Sequence, residues 1–257
     1  MTFSRCTRYS GRLLDQIAFP VGGIGTGCVS VAGNGALVEW QIKNQPALHT
    51  MNHHTFVALR AAPRGNAGAA VTKVVEGPVM PPYNRHPRKI EGQYHEEMGL
   101  GDTFGLPRMR AAEFFGAYPF CRVAFQDDRM PVDVQLDAWN PMIPLNAEDS
   151  GLPLAVVSYT ITNPGDVPVD ISLMLSAGSP MAETTLGGRR NRYVEQPGYR
   201  GILFDNPLLD AEDAEYGEVL IATPWQAGFH RTSWPRLAWF DAQQVTWDEF
   251  SSTGTLT

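Results

Sequence analysis

The chain has 257 residues, of which 43% are hydrophobic and 18% charged, so it is an ordinary globular sequence long enough to bury a sizeable core. Its formal net charge of -7 disfavours nucleic acid as a partner. We expect neither a transmembrane segment nor a signal peptide. The three cysteines are far apart, which predicts reduced thiols rather than a disulfide framework. Together these features predict a cytoplasmic protein.

Short apolar runs followed by turn residues recur along the chain and predict strands. Ala36–Ile42 alternates between two faces, as a half-buried strand does. Thr55–Ala61 and Thr72–Gly77 predict two further strands, joined by a loop rich in glycine, alanine and proline.

Three pairs of runs predict antiparallel hairpins. CRVAFQD and DRMPVDVQLDAWNP form the first pair, and Val132, Val134, Leu136 and Ala138 share one face of its second arm. The clearest pair has arms rich in Val, Ile, Thr and Tyr on either side of Asn163–Asp166, whose Asn-Pro-Gly-Asp sequence is typical of a turn. RGILFDN and GEVLIATP form the third pair.

Two parts of the chain depart from this strand pattern. Near the C-terminus, Phe240, Trp247 and Phe250 recur at helical spacing ahead of Gly254, which predicts a short helix. Pro78–Pro119 is rich in proline and glycine, and it predicts a long irregular loop of the kind that binds or covers something. The sequence as a whole predicts an all-β fold, a large antiparallel β-sandwich with long loops and a short C-terminal helix.

Glycines crowd the stretch FPVGGIGTGCVSVAGNGALVEWQIKNQP. A dinucleotide-binding fingerprint needs a third glycine where this chain has Cys28, and a helix where the chain continues as strand and turn. A P-loop needs a lysine followed by Ser or Thr, but Cys28 follows Gly27 directly. Both phosphate-binding interpretations fail. The residues alone favour a bend at which two backbones approach closely or adopt positive φ.

The same stretch resembles the opening motif of glycoside hydrolase family 116, which includes the non-lysosomal glucosylceramidase and bacterial β-glucosidases. The chain supplies the Phe-Pro-Val-Gly-Gly-Ile-Gly-Thr-Gly run of the motif, followed by Gly35, Leu37, Trp40 and Asn44. Further stretches are similar to the family and occur in its order: GLPRMRAAEFFGAYPFCRVAF, the NPMIP and SGLP segments, and RGILFDNPLLDAEDAEYGEVLIAT. The resemblance covers nearly the whole chain.

The resemblance implies two domains, an N-terminal β-sandwich and a C-terminal (α/α)6 toroid. We therefore expect residues 1–257 to be the N-terminal domain, with the toroid absent. In the family the toroid carries the nucleophilic Glu and the acid/base Asp of a retaining β-glucosidase, so the resemblance implies no catalytic residue and no cofactor in this chain. We expect the chain to be inactive alone, to pack on the toroid, and to help shape a cleft for a β-glucoside or glucosylceramide-like substrate.

Four residues are candidates for the substrate cleft or the interdomain contact. Trp40 lies in the recognised motif, and Asn44 and Gln45 follow it, where they could hydrogen-bond across to the toroid. Glu113 is flanked by apolar residues in AAEFFG, which favours partial burial at a domain contact. Together with the glycine-rich bend, the predicted Pro78–Pro119 loop could form one wall of the cleft.

Other polar clusters give weaker signals. Glu96 and Glu97 are adjacent in an extended loop and so point apart. The acidic run Asp210–Glu218 lacks the ligand spacing of a calcium loop. His49 and His53 have the spacing of a helical zinc pair, but no HExxH motif and no apolar helical stripe accompany them. The sequence therefore predicts no metal site.

Two further functions stay open. A free-standing carbohydrate-binding or scaffold module would need exposed tryptophans on one sheet face, and Trp225, Trp234, Trp239 and Trp247 crowd the C-terminal part. In a sandwich, however, tryptophan more often lies in the core or in a domain interface. A complete small enzyme would need a carboxylate pair at hydrolase spacing, which the sequence does not offer. A missing toroid would leave apolar surface exposed, and such a surface predicts a homo-oligomer.

Overall fold

The computed structural model describes residues 7–43, 46–48, 52, 54–80, 105–181, 184, 187–238 and 241–257. The chain divides into two compact units, Met1–Ala177 (unit 1) and Gly178–Thr257 (unit 2). Within each unit, the strands that pair in the described part of the chain are antiparallel.

Unit 1 is built mainly from strands. They are β1 (Arg8–Ser10), β2 (Ala18–Val21), β3 (Cys28–Ala32), β4 (Leu37–Gln41), β5 (Phe56–Pro63), β6 (Val71–Val74), β7 (Ala111–Ala117), β8 (Phe120–Gln126), β9 (Asp133–Trp139), β10 (Val156–Thr162) and β11 (Val169–Ser176). A four-residue helix, α1 (Ala147–Ser150), lies between β9 and β10, and short 3-10 helices cover Gly11–Gln16 and Ala67–Ala69.

The strands of unit 1 form three sheets. The largest has five strands in the order β1-β7-β8-β9-β10, and β11-β5-β6 and β2-β3-β4 have three each. The predicted strands β5 and β6 pair with each other, and the predicted pair β8–β9 is confirmed. Along β9, Val134, Leu136 and Ala138 are buried as predicted, while Gln135 and Asp137 lie on the opposite, polar face. Alternation places every second side chain on one face of a strand, so this pattern turns one face of the sheet toward the core.

A single hydrophobic core connects the three sheets of unit 1. The five-stranded sheet contributes Leu136 and Val123 to this core, β5 contributes Leu59, and β3 contributes Val31. All four side chains are fully buried. Each such leucine stabilises the fold by roughly 2–3 kcal/mol. Sheets that share one apolar core form a sandwich, so the predicted all-β antiparallel fold is confirmed.

The Asn163–Asp166 turn does not join a hairpin, contrary to the prediction. β10 pairs with β9 and β11 pairs with β5, so the two strands belong to different sheets. Tyr159 of β10 and Val169 of β11 pack against the same core. The turn chemistry itself is as predicted, since the Gly165 N–H donates to the Asn163 side chain at 3.0 Å. Two strands with alternating apolar residues that flank a tight turn have the same sequence pattern in both arrangements, whether they pair in one sheet or belong to two sheets that face each other across a core.

The predicted irregular segment contains a strand. β7 lies inside Pro78–Pro119 and occupies an interior position of the five-stranded sheet, between β1 and β8. Its buried Ala112 and Phe114 alternate with half-buried residues. The alternating pattern of β7 is short and lies among prolines and glycines, which are typical of loops, so the sequence did not predict this strand. Residues 81–104 of the predicted loop lie outside the described residues.

Unit 2 contains one small sheet. Its strands are β12 (Arg190–Gln196), β13 (Tyr199–Asp205) and β14 (Glu218–Thr223). They form a meander in the order β12-β13-β14, which confirms the predicted pairing of the last two. At Gly201 an added side chain would overlap the carbonyl oxygen of Ile221 and lie 2.7 Å from Cα of Ala222. Glycine therefore permits the close approach of β13 and β14.

The predicted C-terminal helix is confirmed as α2 (Asp241–Thr253). It ends as expected at Gly254, whose φ is +76° and whose N–H donates to the carbonyl oxygen of Phe250 at 2.8 Å. A left-handed residue at this position favours glycine because it has no Cβ. Phe250 is buried, whereas Phe240 lies outside the described residues.

Candidate functional site

The glycine-rich stretch forms a tight loop, Gly22–Gly27 (the glycine loop), between β2 and β3. A side chain at Gly23 would overlap the carbonyl oxygen of Leu152 and lie 2.8 Å from that of Gly151. Gly27 adopts a φ of +92°, which side chains disfavour. The glycines thus allow close backbone approach and positive φ, which confirms the interpretation made from the residues alone.

The β9–β10 segment, which the glycine loop contacts, is held by several hydrogen bonds. The buried Ser150 hydroxyl donates to the carbonyl oxygen of Ile143 at 3.1 Å and accepts from the Ile143 N–H at 2.9 Å. The Ser150 carbonyl oxygen accepts from the Ile24 N–H of the glycine loop at 2.8 Å. Asn146 caps α1 by accepting from the Asp149 N–H at 3.0 Å. These contacts fix the segment against the glycine loop.

Apolar side chains of this region face solvent. Leu145 is fully exposed at 108%, and its φ is +66°, a conformation that costs a non-glycine residue about 1–2 kcal/mol. Ile24, Ile143, Leu152 and Leu154 are exposed by 39% to 53%. Exposed apolar residues on a hydrogen-bonded scaffold, one of them held at a backbone cost, are typical of a contact surface.

Trp40 lies at a β-bulge in β4. The register between β3 and β4 shifts between Cys28 and Ser30, so that two residues of β4, Glu39 and Trp40, lie opposite one residue of β3. Glu39 has a φ of +51°. The regular alternation predicted for this strand is therefore wrong here, because a periodic pattern cannot reveal an extra residue in one strand. Bulges recur near functional sites because they redirect side chains.

Polar contacts hold the bulge in place. The buried Glu39 carboxylate accepts from the Ser30 hydroxyl at 3.2 Å, and the Trp40 indole N–H donates to the carbonyl oxygen of Leu37 at 3.3 Å. Burial first, and the Glu39 charge second, raise the pKa of the Cys28 thiol. The thiol therefore stays protonated at neutral pH, and its environment disfavours a nucleophilic role.

The turn between β7 and β8 is joined to its neighbours by aromatic contacts. The Phe19 ring of β2 lies 6.0 Å from that of Tyr118 and 5.9 Å from that of Phe114. Phe120 and Trp139 lie 6.3 Å apart, at the start of β8 and the end of β9. Such pairs each contribute about 0.5–1.5 kcal/mol beyond burial. Tyr118 nevertheless keeps 53% of its surface exposed.

Four stretches that carry the family resemblance therefore meet at one end of unit 1, which we call the motif end. They are the glycine loop, the end of β4 with Trp40, the β7–β8 turn with Tyr118, and the β9–β10 segment with Leu145. The glycine loop also reaches β4, since a side chain at Gly27 would lie 2.8 Å from the carbonyl oxygen of Gln41. Because neighbouring strands are antiparallel, the end of β7, the start of β8, the end of β9 and the start of β10 lie side by side at the same end of the sheet.

The structure describes two of the four predicted site residues, Trp40 and Glu113. Trp40 lies at the motif end, half-buried, and Asn44 and Gln45 lie outside the described residues. Glu113 lies within β7, where its carboxylate pairs with the Arg8 guanidinium. The Glu113 side chain is 16% exposed and that of Arg8 62% exposed. A role of Glu113 at a domain contact stays a prediction.

Sequence reasoning did not single out Ile24, Leu145 or Leu152 as site residues. One signal was present, since Asn146 stands three residues before Asp149, as a helix cap and its partner often do. That pattern indicates a fixed loop, but it does not reveal which neighbouring apolar residues stay exposed.

The weaker polar signals do not form a metal site in the part of the chain that the structure describes. No group of three or more His, Cys, Asp or Glu side chains there is arranged to hold a metal ion. His49, His53, Glu96 and Glu97 lie outside the described residues. The acidic run Asp210–Glu218 is largely exposed, as predicted for a solvated loop. The described residues also contain no helix that is both long and apolar enough to cross a membrane.

Comparison with known proteins points to the family that the motifs resemble. A family model described as beta-glucosidase 2, glycosyl-hydrolase family 116 N-term matches residues 18–257. A search of curated proteins returns no match. A model of an N-terminal domain implies a separate catalytic domain in the full-length proteins. The chain belongs to the N-terminal domain family of glycoside hydrolase family 116.

Proposed function

We propose that this chain is the non-catalytic N-terminal domain of a retaining β-glucosidase or glucosylceramidase. Its motif end packs on the catalytic domain and shapes one wall of the substrate cleft. The observation that carries the proposal is the convergence of four separated family stretches at one end of unit 1. Convergence of this kind favours a shared contact role over four independent structural roles.

The buried carboxylates that the structure describes support a non-catalytic role. Retaining hydrolysis needs one carboxylate as nucleophile and a second carboxyl group as proton donor, about 5–5.5 Å apart. The buried carboxylates form structural contacts instead: Glu39 with Ser30, Glu76 with Arg108, Asp127 with Lys73, and Asp205 with Arg190. Hydrogen bonds from Arg190 and Arg192 lower the pKa of Asp205, which disfavours proton donation by that carboxyl group at neutral pH.

The motif end is also shaped for contact. Gly25, at the tip of the glycine loop, has a φ of +73°, and a side chain added there would meet nothing within 4 Å. The tip of the loop is therefore open to solvent, as is the side chain of Leu145. Because hydrogen bonds already fix the β9–β10 segment, docking would order few additional side chains and would cost little entropy.

The test uses the longer protein that carries both this chain and the catalytic domain. Leu145→Ser and Ile24→Ser remove exposed apolar contacts and should leave the fold intact, because neither side chain is buried. We expect kcat/KM on a chromogenic β-glucoside to fall about tenfold or more, since small shifts of a cleft wall misplace the substrate. Ser158→Ala, on the exposed polar face of β10, is the control and should leave kcat/KM unchanged.

Two results would contradict this function. Full activity of the catalytic domain without this chain would show that the motif end shapes no part of the cleft. Release of glucose from the chromogenic β-glucoside by the 257-residue chain alone would show that the chain is itself catalytic.

A further inference from the structure

Unit 2 buries few apolar side chains for its length. In the part of Gly178–Thr257 that the structure describes, the buried apolar residues are Met181, Phe204 and Phe250. A domain of this size normally folds around a continuous apolar core. Unit 2 therefore gains more than unit 1 from apolar contact that another surface supplies.

Exposed aromatic residues gather at one end of the unit 2 sheet. Tyr199 begins β13, and Trp225 and Phe229 follow the end of β14. The pairing of Arg200 with Thr223 shows that these two strand ends are adjacent. Tyr199 is 40% exposed, Trp225 77% and Phe229 65%. We call these three residues the aromatic end, and side chains this exposed are typical of a contact surface.

The aromatic end is held in place by Arg200. Its Nε donates to the carbonyl oxygen of Trp225 at 2.8 Å, and its Nη1 donates to that of Gly228 at 3.1 Å. The His230 ring stacks on Tyr193 with the centroids 3.6 Å apart, which keeps the loop after β14 against the sheet. A loop fixed in this way loses little conformational entropy when a partner binds.

The composition of unit 2 favours a protein partner over a sugar. A sugar ring can cover one aromatic face, but it cannot supply the apolar contact that unit 2 lacks. Exposed aliphatic residues of the unit include Leu208, Leu220, Leu237 and Val245. Protein interfaces concentrate their binding energy on tryptophan, tyrosine and arginine, and the aromatic end with Arg200 provides all three.

We propose that the aromatic end anchors unit 2 in an apolar pocket of the catalytic domain. This inference rests on the proposed function, because it requires the catalytic partner that the family match implies. The two surfaces differ in role: the motif end shapes the cleft, and the aromatic end supplies affinity between the domains. Docking would give unit 2 the apolar contact that its own residues do not provide.

The experiment places Trp225→Ala and Phe229→Ala in two backgrounds, the full-length protein and the 257-residue chain. The readout is hydrogen exchange of the β13 and β14 amides. In the full-length protein each variant should lower protection about 30-fold, as loss of an interface anchor does. In the 257-residue chain the same variants should change nothing, because both side chains are already exposed. Tyr216→Ala, just before β14 at the other end of the sheet, is the control and should be silent in both backgrounds.

Three outcomes would overturn the inference. The first is equal protection of wild type and both variants in the full-length protein. The second is a dimer of the 257-residue chain that Trp225→Ala abolishes, which would assign the aromatic end to a second copy. The third is a cellobiose-induced change in tryptophan fluorescence that Trp225→Ala removes, which would assign it to a sugar. If Leu145→Ser lowers kcat/KM while the aromatic variants keep full protection, this inference fails and the proposed function stands.

Discussion

Unit 1 and unit 2 are both antiparallel β structure, yet they are stabilised differently. Unit 1 places three sheets around one apolar core, whose centre includes Leu59 and Leu136. The described residues of unit 2 form one three-stranded sheet, and ion pairs are a prominent feature of that sheet. The Arg190 and Arg192 guanidinium groups lie 2.6 Å and 2.8 Å from the buried Asp205 carboxylate.

This contrast supports the inference that unit 2 is completed by a partner. Apolar burial is non-directional and accumulates with area, so unit 1 gains its stability from its own residues. An ion-pair network fixes geometry but adds little net stability, because desolvation offsets much of its attraction. Polar contacts therefore order unit 2, whereas its described residues bury few apolar side chains, and this agrees with the inference that unit 2 docks on a partner.

Truncation of core residues should give the largest difference between the two units. Leu136→Ala should destabilise unit 1 by about 4 kcal/mol, because it leaves a cavity at a fully buried site. Phe204→Ala should instead lower hydrogen-exchange protection in β12, β13 and β14 while the urea midpoint of unit 1 stays constant. Urea unfolding combined with residue-resolved hydrogen exchange measures both effects. Equal losses in both units from either variant would show that they unfold as one.

Glycine substitutions should have the next largest effects on the stability of each unit. Gly23→Ala should cost about 3 kcal/mol in unit 1, because the new methyl group overlaps backbone atoms that cannot move cheaply. Gly25→Ala is the matched control, since its positive φ costs about 1–2 kcal/mol but no atom lies within 4 Å. Gly201→Ala should act in unit 2 alone. Urea titration gives the first two values, and a Gly23→Ala cost no larger than that of Gly25→Ala would refute the close-approach role.

Protonation of Asp205 should give the smallest effect. Hydrogen bonds from Arg190, and then from Arg192, lower the pKa of Asp205 from 3.8 to about 2. A lowered pKa stabilises the folded state at pH values above the unfolded pKa, and this contribution is lost as the pH falls through the folded pKa. The advantage of wild type over Asp205→Asn in unit 2 should therefore shrink between about pH 4 and about pH 2.

Near-ultraviolet circular dichroism during acid titration would follow the unit 2 aromatic residues in wild type and Asp205→Asn. The Asp137→Asn variant provides a comparison in unit 1, where Asp137 pairs with Arg122 at 2.6 Å in a more exposed setting. If the Asp205→Asn difference stayed constant across the acid range, the ion pairs would not be the source of the stabilisation.

Much of the fold could be predicted because it depends on neighbouring residues. The alternation of β9 sorts its buried and polar faces, and Gly254 ends α2 through its own backbone conformation. Asn163 forms the predicted turn with Gly165 through a contact only two residues long. Trp40 could be named as a candidate because it lies in a motif whose spacing the sequence displays directly, and its role in a site stays a prediction.

The rest of the candidate site could not be predicted, because its contacts join residues that are distant in sequence. The Ile24 N–H meets the Ser150 carbonyl oxygen, and nothing near either residue signals the other. The exposure of Leu145 also had no local signal, since an apolar residue beside a proline is compatible with burial. The bulge at Glu39 is an extra residue in one strand that becomes visible only beside its partner.

Local patterns along the chain are sufficient to predict that it is β-rich, which strand faces are apolar, where α2 ends, and which family the motifs indicate. The tertiary structure decided that β10 and β11 enter different sheets, that β7 lies inside the largest sheet, and that four motif stretches meet at one end of unit 1. The physical reason is that alternation specifies which side of a strand avoids water but not which strand lies beside it. Strand pairing is settled by the burial of a shared core, and that is a property of the whole unit.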